Sequence, residues 1–390
     1  MDRLLLCQED AYRWTATATV VSCESIDNEH WNVILDDSPF YPEGGGQPAD
    51  LGRLGEVTVV DVQKDRAGRV FHTTTAPLAP GPVEAVVDGA RRFDHMQQHT
   101  AQHLITAIAQ DRFGRATTSF HLGQQTSSID LDGPLKSGQV RELEDAVNAE
   151  LRQDRPVRAR VVDAATYAAL GVRSRGLPAG YDGPVRLVGI EGLDLNTCGG
   201  THVARLGELQ LIHLIGTEKV RGGARLSYVA GGRALARMRA STARAAQLNT
   251  ALKCGPDDHL SAVRRLLDDA KQAGRTRRQL TQELATLLGQ QLAGQGGGRL
   301  HRPEADLNLL RGIADACVAE GGACRLLLTG GDDTGVFFAV APEAVLKGAS
   351  ADLLAALKAR GGGRGMRMQG KAQALSEENR EAAWKVLSGG

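Results

Sequence analysis

The sequence predicts an α+β multidomain protein: an N-terminal β-barrel, an α+β domain, a helical linker and a C-terminal α/β domain. Three observations carry this reading. A chain of 390 residues exceeds what one ordinary core organises. Its first stretch is dominated by short β-branched runs, and later stretches switch between the period of a helix and the period of a strand. The boundaries fall at 1–88, 89–232, 233–298 and 299–390.

Within 1–88, Ala16–Val21, Trp31–Leu35, Val57–Val62 and Val83–Val87 are rich in β-branched residues and bounded by Asp, Gly and Pro, the mark of short strands that a small barrel can close. Between them lies Pro39-Phe-Tyr-Pro-Glu-Gly-Gly-Gly-Gln-Pro48, which cannot be regular structure. At Asp94 the period changes. Asp94 is the expected N-cap of a helix whose Leu104, Ile105 and Ile108 form an apolar stripe. Strands at Thr117–Leu122 and Ser127–Leu131 follow, then a helix over 138–154 and strands at Val157–Val162 and Val185–Ile190. A loop over Asp194–His202 and a strand at Leu209–Ile215 complete the domain.

From Arg233 to Ala293 the pattern is helical. Gly255-Pro256 breaks it, and Asp257 and Asp258 sit in the first turn of the restart, where acids suit the helix dipole. Leu280, Leu284, Leu287 and Gln291/Leu292 step by four, three and four. This short coiled-coil-like seam reads equally as packing on its own domain or as a contact between two copies. Gly294–Gly298 reads as a hinge. The last piece alternates helix and strand, with Leu326–Thr329 and Val336–Val340 as strands, and then reaches Gly361-Gly362-Gly363-Arg364-Gly365. No internal repeat is found.

Composition narrows the function classes. With 4% aromatic residues, the cores must lean on Leu, Val, Ile and Ala. The 46 basic and 46 acidic residues cancel, so a nucleic-acid binder would have to concentrate its positive charge locally. No uninterrupted apolar run of about 18 residues exists, so no membrane helix is expected. The N-terminus lacks the apolar core of a secretory signal. Six cysteines, at 7, 23, 198, 254, 317 and 324, are scattered rather than framed in pairs, which suits a reducing cytoplasm.

The chemistry sits in two short motifs. His99 and His103 are four apart on the expected helix, which puts both imidazoles on one face, one turn apart. Chance at this composition gives about 0.25 such pairs, and His95 and His99 form a second, so the pair alone is moderate evidence. Cys198-Gly-Gly-Thr-His202 is the other half; chance gives about 0.15 Cys-x-x-x-His pairs. Its two glycines let the loop fold tightly enough to turn both side chains inward. One thiolate and three imidazoles make a good zinc set. The bland alternative is a wet helix histidine pair and a buried cysteine. Four protein ligands also raise a difficulty, because catalytic zinc usually keeps a position open. One ligand, such as His202, is loose, or the zinc becomes five-coordinate, or it only organises the pocket; the sequence leaves these open.

These residues resemble a known family. His99-Thr-Ala-Gln-His103 followed by Cys198-Gly-Gly-Thr-His202 resembles the editing domain of alanyl-tRNA synthetase, shared more distantly with threonyl-tRNA synthetase. Pro39–Gln47 resembles the glycine-rich motif of that family's N-terminal barrel. Ser119-Phe-His-Leu-Gly123 and Ser128-Ile-Asp-Leu-Asp132 resemble its pocket strands, and Gly189–Asn196 leads into the cysteine as the family expects. Arg360-Gly-Gly-Gly-Arg364 is similar to the C-terminal domain called DHHA1. No aminoacylation domain is read ahead of the barrel, so the match is to the freestanding alanyl-tRNA editing proteins (AlaX type), in their long form with a DHHA1 domain.

The resemblance implies an α+β zinc-containing editing domain at 89–232 and a DHHA1-like domain at 299–390. It implies zinc held by His99, His103, Cys198 and His202, and hydrolysis of the ester of Ser, sometimes Gly, mischarged onto tRNA for alanine. His95 lies outside the ligand pattern and is given no role. Zinc can polarise a carbonyl or activate water; orientation of the ester through the α-amino group is favoured, because four ligands leave little room for a metal hydroxide. No side chain is named as catalytic. Ser127 and Ser128, with Thr126 behind, are the candidates for reading the serine hydroxyl, against the alternative of plain exposed strand hydroxyls. Gln102, between the helix ligands, is a minor candidate.

The partner expected is mischarged tRNA for alanine. Gly44, Gly45 and Gly46 would let a nucleotide end approach their backbone, a simple turn being the alternative. Gly45-Gly46-Gln47 also resembles, over three residues, the Gly-Gly-Gln of peptide release factors. Lys219, Arg221, Arg225, Arg233, Arg237 and Arg239 form one basic cluster with only Glu218 opposing in sequence. Lys358, Arg360, Arg364, Arg367 and Lys371 form another without an acid, and a solvated face is the usual meaning of such runs. A homodimer through the helical and C-terminal regions is a further expectation. Two rivals stand: a zinc-stapled tRNA-binding module without catalysis, and a deacylase acting on Ser-tRNA(Thr). A metal-dependent nuclease or phosphatase would need an Asp-His-His type run, and none occurs.

Overall fold

The computed structural model describes residues 4–136, 138–173, 176–177, 181–321 and 324–389. The chain divides into two compact units, Met1–Ala246 and Gln247–Gly390.

The first unit opens with a short helix, α1 (Leu6–Glu9), and a closed barrel. Its strands are β1 (Thr15–Ser25), β2 (Trp31–Leu35), β3 (Gly52–Leu54), β4 (Val57–Lys64), β5 (Val70–Thr74) and β6 (Gly81–Val87), in the order β1-β2-β5-β4-β3-β6. Alternation along them, with a register shift between Val59 and Asp61 that returns Val62 to the inner face, turns Ala18, Val20, Val33, Leu35, Val59, Val62, Ala85 and Val87 into one core. Strands β3 and β5 escaped the sequence reading because one is three residues long and the other, Val-Phe-His-Thr-Thr, buries polar His72 and Thr74.

Helix α2 (Gly89–Phe113) follows, and it starts earlier than expected. Asp88, not Asp94, is the N-cap: its side chain accepts from the Arg91 amide at 3.0 Å. Asp94 instead takes a paired hydrogen bond from Arg233. Gly114 ends the helix in the left-handed conformation, φ 63°. Buried Arg92 ties the first turn to the barrel, donating to Asp50 (2.7 Å), to the Pro39 carbonyl (2.6 Å) and to the Ala11 carbonyl (3.1 Å). Both Arg92 and Asp50 are inaccessible to solvent.

Two sheets cover α2. One has order β12-β13-β8-β7, from β7 (Thr117–Leu122), β8 (Ser127–Leu131), β12 (Ile212–Val220) and β13 (Gly223–Ala230). The other has order β11-β10-β9, from β9 (Val157–Val162), β10 (Val185–Ile190) and β11 (Asp194–Thr197). Helices α3 (Gln139–Leu151) and α4 (Ala164–Ala169) complete this layer. The segment expected as one loop, Asp194–His202, therefore begins with a strand. The strand expected at Leu209–Ile215 starts at Ile212, because Leu206–Leu209 forms a 3₁₀ turn.

Helix α5 (Gly232–Leu252) carries the chain into the second unit, where Pro256–Asp258 makes a 3₁₀ turn before α6 (His259–Gly294). The sheet here, β14-β15-β16-β18-β17, is built from β14 (Gly297–His301), β15 (Arg325–Gly331), β16 (Gly335–Val340), β17 (Arg360–Arg364) and β18 (Arg367–Ala372). Helices α7 (Leu307–Ala319), α8 (Glu343–Ala356) and α9 (Glu377–Ser388) flank it. The hinge expected at Gly294–Gly298 is in part β14. A Cβ on Gly297 would come within 2.5 Å of the Arg325 carbonyl oxygen, so glycine lets the parallel strands pair. On α6, Ala285, Gly289 and Leu292 bury against α7, while Leu280, Leu284 and Leu287 stay exposed. Of the leucine seam, Leu292 packs on its own unit, whereas its first three leucines do not.

Candidate metal centre

Helix α2 is polar yet buried, and several of its polar groups are matched by partners elsewhere in the chain. Gln98 donates to the Ala230 carbonyl (3.0 Å), Gln97 to the Glu208 carbonyl (2.7 Å), and the Gln98 carbonyl accepts from the Tyr228 hydroxyl (2.8 Å). This fixes the rotation of the helix. His99 and His103 then share one face with ring centroids 5.3 Å apart, at 2% and 5% exposure.

The loop after β11 meets them. Arg186 donates to the carbonyls of Cys198 (2.7 Å) and Gly200 (3.0 Å) and so curls the loop back. The two glycines in the motif differ in role. A Cβ at Gly200 would overlap the His99 ring, whereas one at Gly199 would meet only the Gln8 amide, at 3.6 Å.

Folding brings together His99, His103, Cys198 and His202, the four residues singled out by the sequence. Their donor atoms all lie within 4.8 Å of one another. Cys198 Sγ is 3.2 Å from His202 Nε2 and 3.5 Å from His99 Nε2. Each imidazole has its other nitrogen directed at a fixed partner. His99 Nδ1 lies 2.9 Å from Gln47 Oε1, His202 Nδ1 lies 3.1 Å from Thr100 Oγ1, and His103 Nδ1 lies 3.4 Å from Asp194 Oδ2. Asp194 is itself held by Asn196 (2.8 Å) and Arg173 (3.1 Å). A shell of this kind orients metal-ligating histidines.

The electrostatics favour a thiolate at Cys198, with the balancing positive charge on His103 rather than on His202. Burial opposes a charged Cys198, but His99 and His202 beside it, with hydrogen bonds from His103 and His202, hold its thiol well below the ordinary value. Burial also disfavours a charged His103, yet the contacts with Asp194 and Cys198 raise it to about 9. Burial lowers His202 to about 3, the condition of a neutral nitrogen ligand. Three buried imidazoles and one half-buried cysteine sulfur, already convergent, fit a metal ion of the zinc class.

The other candidates fall in several places. Ser127 and Ser128 point to opposite faces of β8, as neighbours on a strand must. Ser127 is fully buried on the face of Ile129 and Leu131. Ser128 shares the other face with Asp130. Gln102 is buried and donates to Thr106 (2.9 Å). His95 is 2% exposed, and its Nδ1 has no hydrogen-bond partner among the described residues. Gly44 and Gln47 pair backbone to backbone around Gly45 (φ 55°) and Gly46 (φ 81°), a tight turn whose glycines are partly open to solvent. Lys219 and Arg221 are exposed at the β12–β13 hairpin. Arg225 is engaged by Asp130 (2.8 and 3.0 Å), an acid remote in sequence. In the second unit Arg364 is exposed on β17, while Arg367 pairs with Asp315 (2.7 Å). With Arg311 they border a cavity of about 240 Å³.

The sequence did not reveal Gln47, Thr100, Asp194, Arg173 or Arg186 as parts of the centre. Their only signal is three-dimensional.

A closed barrel joined to an α+β layer around a buried cluster of three histidines and a cysteine defines a class of protein. Residues 185–226 match the family described as the threonyl and alanyl tRNA synthetase second additional domain. The chain is 38% identical to the alanyl-tRNA editing protein Aarsd1 of Mus musculus and 36% identical to that of Danio rerio, in each case over 95% of this chain and 94% of the relative. It is 33% identical to the alanine–tRNA ligase of Halorubrum lacusprofundi, over 87% of this chain and 38% of that ligase. The chain belongs to the family of alanyl-tRNA editing proteins.

Proposed function

We propose that this protein is a zinc-dependent deacylase that removes serine, and glycine, from mischarged tRNA for alanine while sparing Ala-tRNA(Ala). The observation that carries the reading is the convergence of His99, His103, Cys198 and His202 inside a chain whose full-length relatives are named alanyl-tRNA editing proteins.

These four residues would hold the ion, and zinc bound there supplies a Lewis acid for the ester carbonyl and a grip for the α-amino group. The chain's own groups do the rest. Gln47, Thr100 and Asp194 keep the ring nitrogens turned inward. Phe120, with its ring 5.4 Å from that of His99, walls one side against water. Ser127, buried on β8 beside the Tyr228 hydroxyl, is the strand hydroxyl proposed to read a serine side chain. A site built to bond a hydroxyl discriminates against an analogue lacking it by about 10⁴ or more.

Gly44–Gly46, Lys219 and Arg221 are the tRNA contacts proposed on the first unit, with Arg225 shared with Asp130. The second unit, read as DHHA1-like, would add Arg364 and Arg367. The exposed leucines of α6 are the face proposed for a second copy.

The test is a panel of charged tRNAs: Ser, Gly and Ala on tRNA for alanine, and Ser on tRNA for threonine. Ser and Gly should be lost from the first, with Ala retained. Tight binding with every ester intact would establish a binding module instead, and selective loss from Ser-tRNA(Thr) would reassign the substrate.

A further inference from the structure

We infer that Gln47, the last residue of the barrel's glycine turn, is a positioning residue of the metal centre: it selects the tautomer of His99 and braces the Cys198–His202 loop. The inference rests on the metal reading above, and deepens it by making the barrel part of the centre.

The orientation of the Gln47 amide is fixed by a donor that cannot accept. The backbone N–H of Thr201 points at Gln47 Oε1 from 3.1 Å, so that atom must be the carbonyl oxygen. The other terminus is then the NH₂ group, and it donates to Thr201 Oγ1 at 2.9 Å. The same oxygen lies 2.9 Å from His99 Nδ1. An amide oxygen only accepts, so Nδ1 carries the proton and the lone pair of His99 resides on Nε2. That nitrogen faces Cys198 Sγ, 3.5 Å away. Both lone pairs of the Gln47 oxygen are thus spent, one on a metal-ligand candidate from α2 and one on the loop that brings the other two.

The surroundings are built to this arrangement. Gln47 is 1% exposed, so its side chain is out of reach of RNA and of bulk water. This separates it from a Gly-Gly-Gln motif that presents its amide to a substrate. A Cβ at Gly200 would come within 2.8 Å of Gln47 Oε1, as well as overlapping the His99 ring; only glycine leaves room for the hydrogen bond between them. A Cβ at Gly46 would lie 2.6 Å from Phe120, whose ring packs on His99. The turn is held at its base by the mutual Gly44–Gln47 backbone bonds, and Arg92 and Tyr41 fix its flank through Asp50.

Three variants test the assignment, with zinc and cobalt affinity measured by chelator competition, the visible spectrum of the cobalt-loaded protein and unfolding in denaturant. Gln47→Leu removes the acceptor and should weaken metal binding about 10–100-fold, the usual effect of losing such a partner, and shift the cobalt bands. Gln47→Glu keeps an acceptor for Nδ1 and should recover most of the affinity and the native spectrum. Thr201→Val removes the bracing bond to the hydroxyl but leaves His99 its acceptor, and should lose clearly less affinity than Gln47→Leu and keep the native cobalt bands. Wild-type affinity in Gln47→Leu would overturn the inference. So would equal losses in Gln47→Leu and Thr201→Val, which would reduce Gln47 to a loop brace. A wild-type protein that binds neither metal would sink the metal reading itself, a result distinct from those two.

Discussion

Gly199 and Gly200 stand side by side in one motif and are predicted to behave differently. Alanine at 200 must push the His99 ring away from Cys198, so Gly200→Ala should lose most of its bound zinc and its deacylase activity while remaining folded. Alanine at 199 enters ordinary contact distance, and Gly199→Ala should keep both. Zinc analysis of the two purified variants checks this, and equal zinc in both would show that the His99 side chain is not confined as described. His72 supplies a second prediction. It is buried in the barrel between Ser38 Oγ (2.7 Å) and the Val33 carbonyl (3.0 Å), and burial lowers it to about 4 from 6.5. Above pH 6.5 both folded and unfolded states are neutral at this residue. As the pH falls below 6.5 the unfolded chain takes up a proton that the folded one refuses until about 4, so stability is lost across that window. The stability difference between wild type and His72→Gln should therefore move in the variant's favour by on the order of 3 kcal/mol between pH 7 and 4. Denaturant unfolding at several pH values reads it, and a difference independent of pH would contradict the assignment.

Helix α2 is the element on which the centre is assembled, and its anchor is Arg92. Removing one partner of a buried ion pair leaves the other uncompensated, so Arg92→Met should destabilise the first unit by about 3–5 kcal/mol. Adding Asp50→Leu should recover a large part of that loss, and if it recovers none the pair is not the source of the cost. The legibility of the elements follows from how local their causes are. His99 and His103 could be read because an i, i+4 step on a helix is a local fact, and Cys198 and His202 because the donor types are rare. Asp94 was misread as the cap because its role, holding Arg233, involves a residue far along the chain. The same holds for Gln47 and Asp194, whose partners His99 and His103 lie 52 and 91 positions away along the chain. The leucines of α6 have a heptad-like step, yet the step alone did not say which face the unit would bury. Ala285 and Gly289 are small and let α7 approach, and so they took the interior face.

At the scale of the molecule, net charge is zero and affinity for RNA must come from local surfaces. Folding reduces the basic clusters seen in sequence: Arg225, Arg233 and Arg367 are each engaged by an aspartate brought from elsewhere. Arg364 is in no such ion pair among the described residues. If it meets a phosphate, Arg364→Ala should flatten the slope of log affinity against log salt by about 0.7 for a single strand or about 0.9 for a duplex. An unchanged slope would retire this residue as a contact. The proposed function puts ester hydrolysis at the cluster of three histidines and one cysteine. It is tested most directly by comparing wild type with Cys198→Ala on Ser-tRNA(Ala), with the zinc content of each protein measured alongside. Wild type should carry about one zinc per chain and strip the serine, and Cys198→Ala should lose most of the metal and nearly all of the activity. A Cys198→Ala protein that holds its full zinc and clears Ser-tRNA(Ala) at the wild-type rate would contradict it.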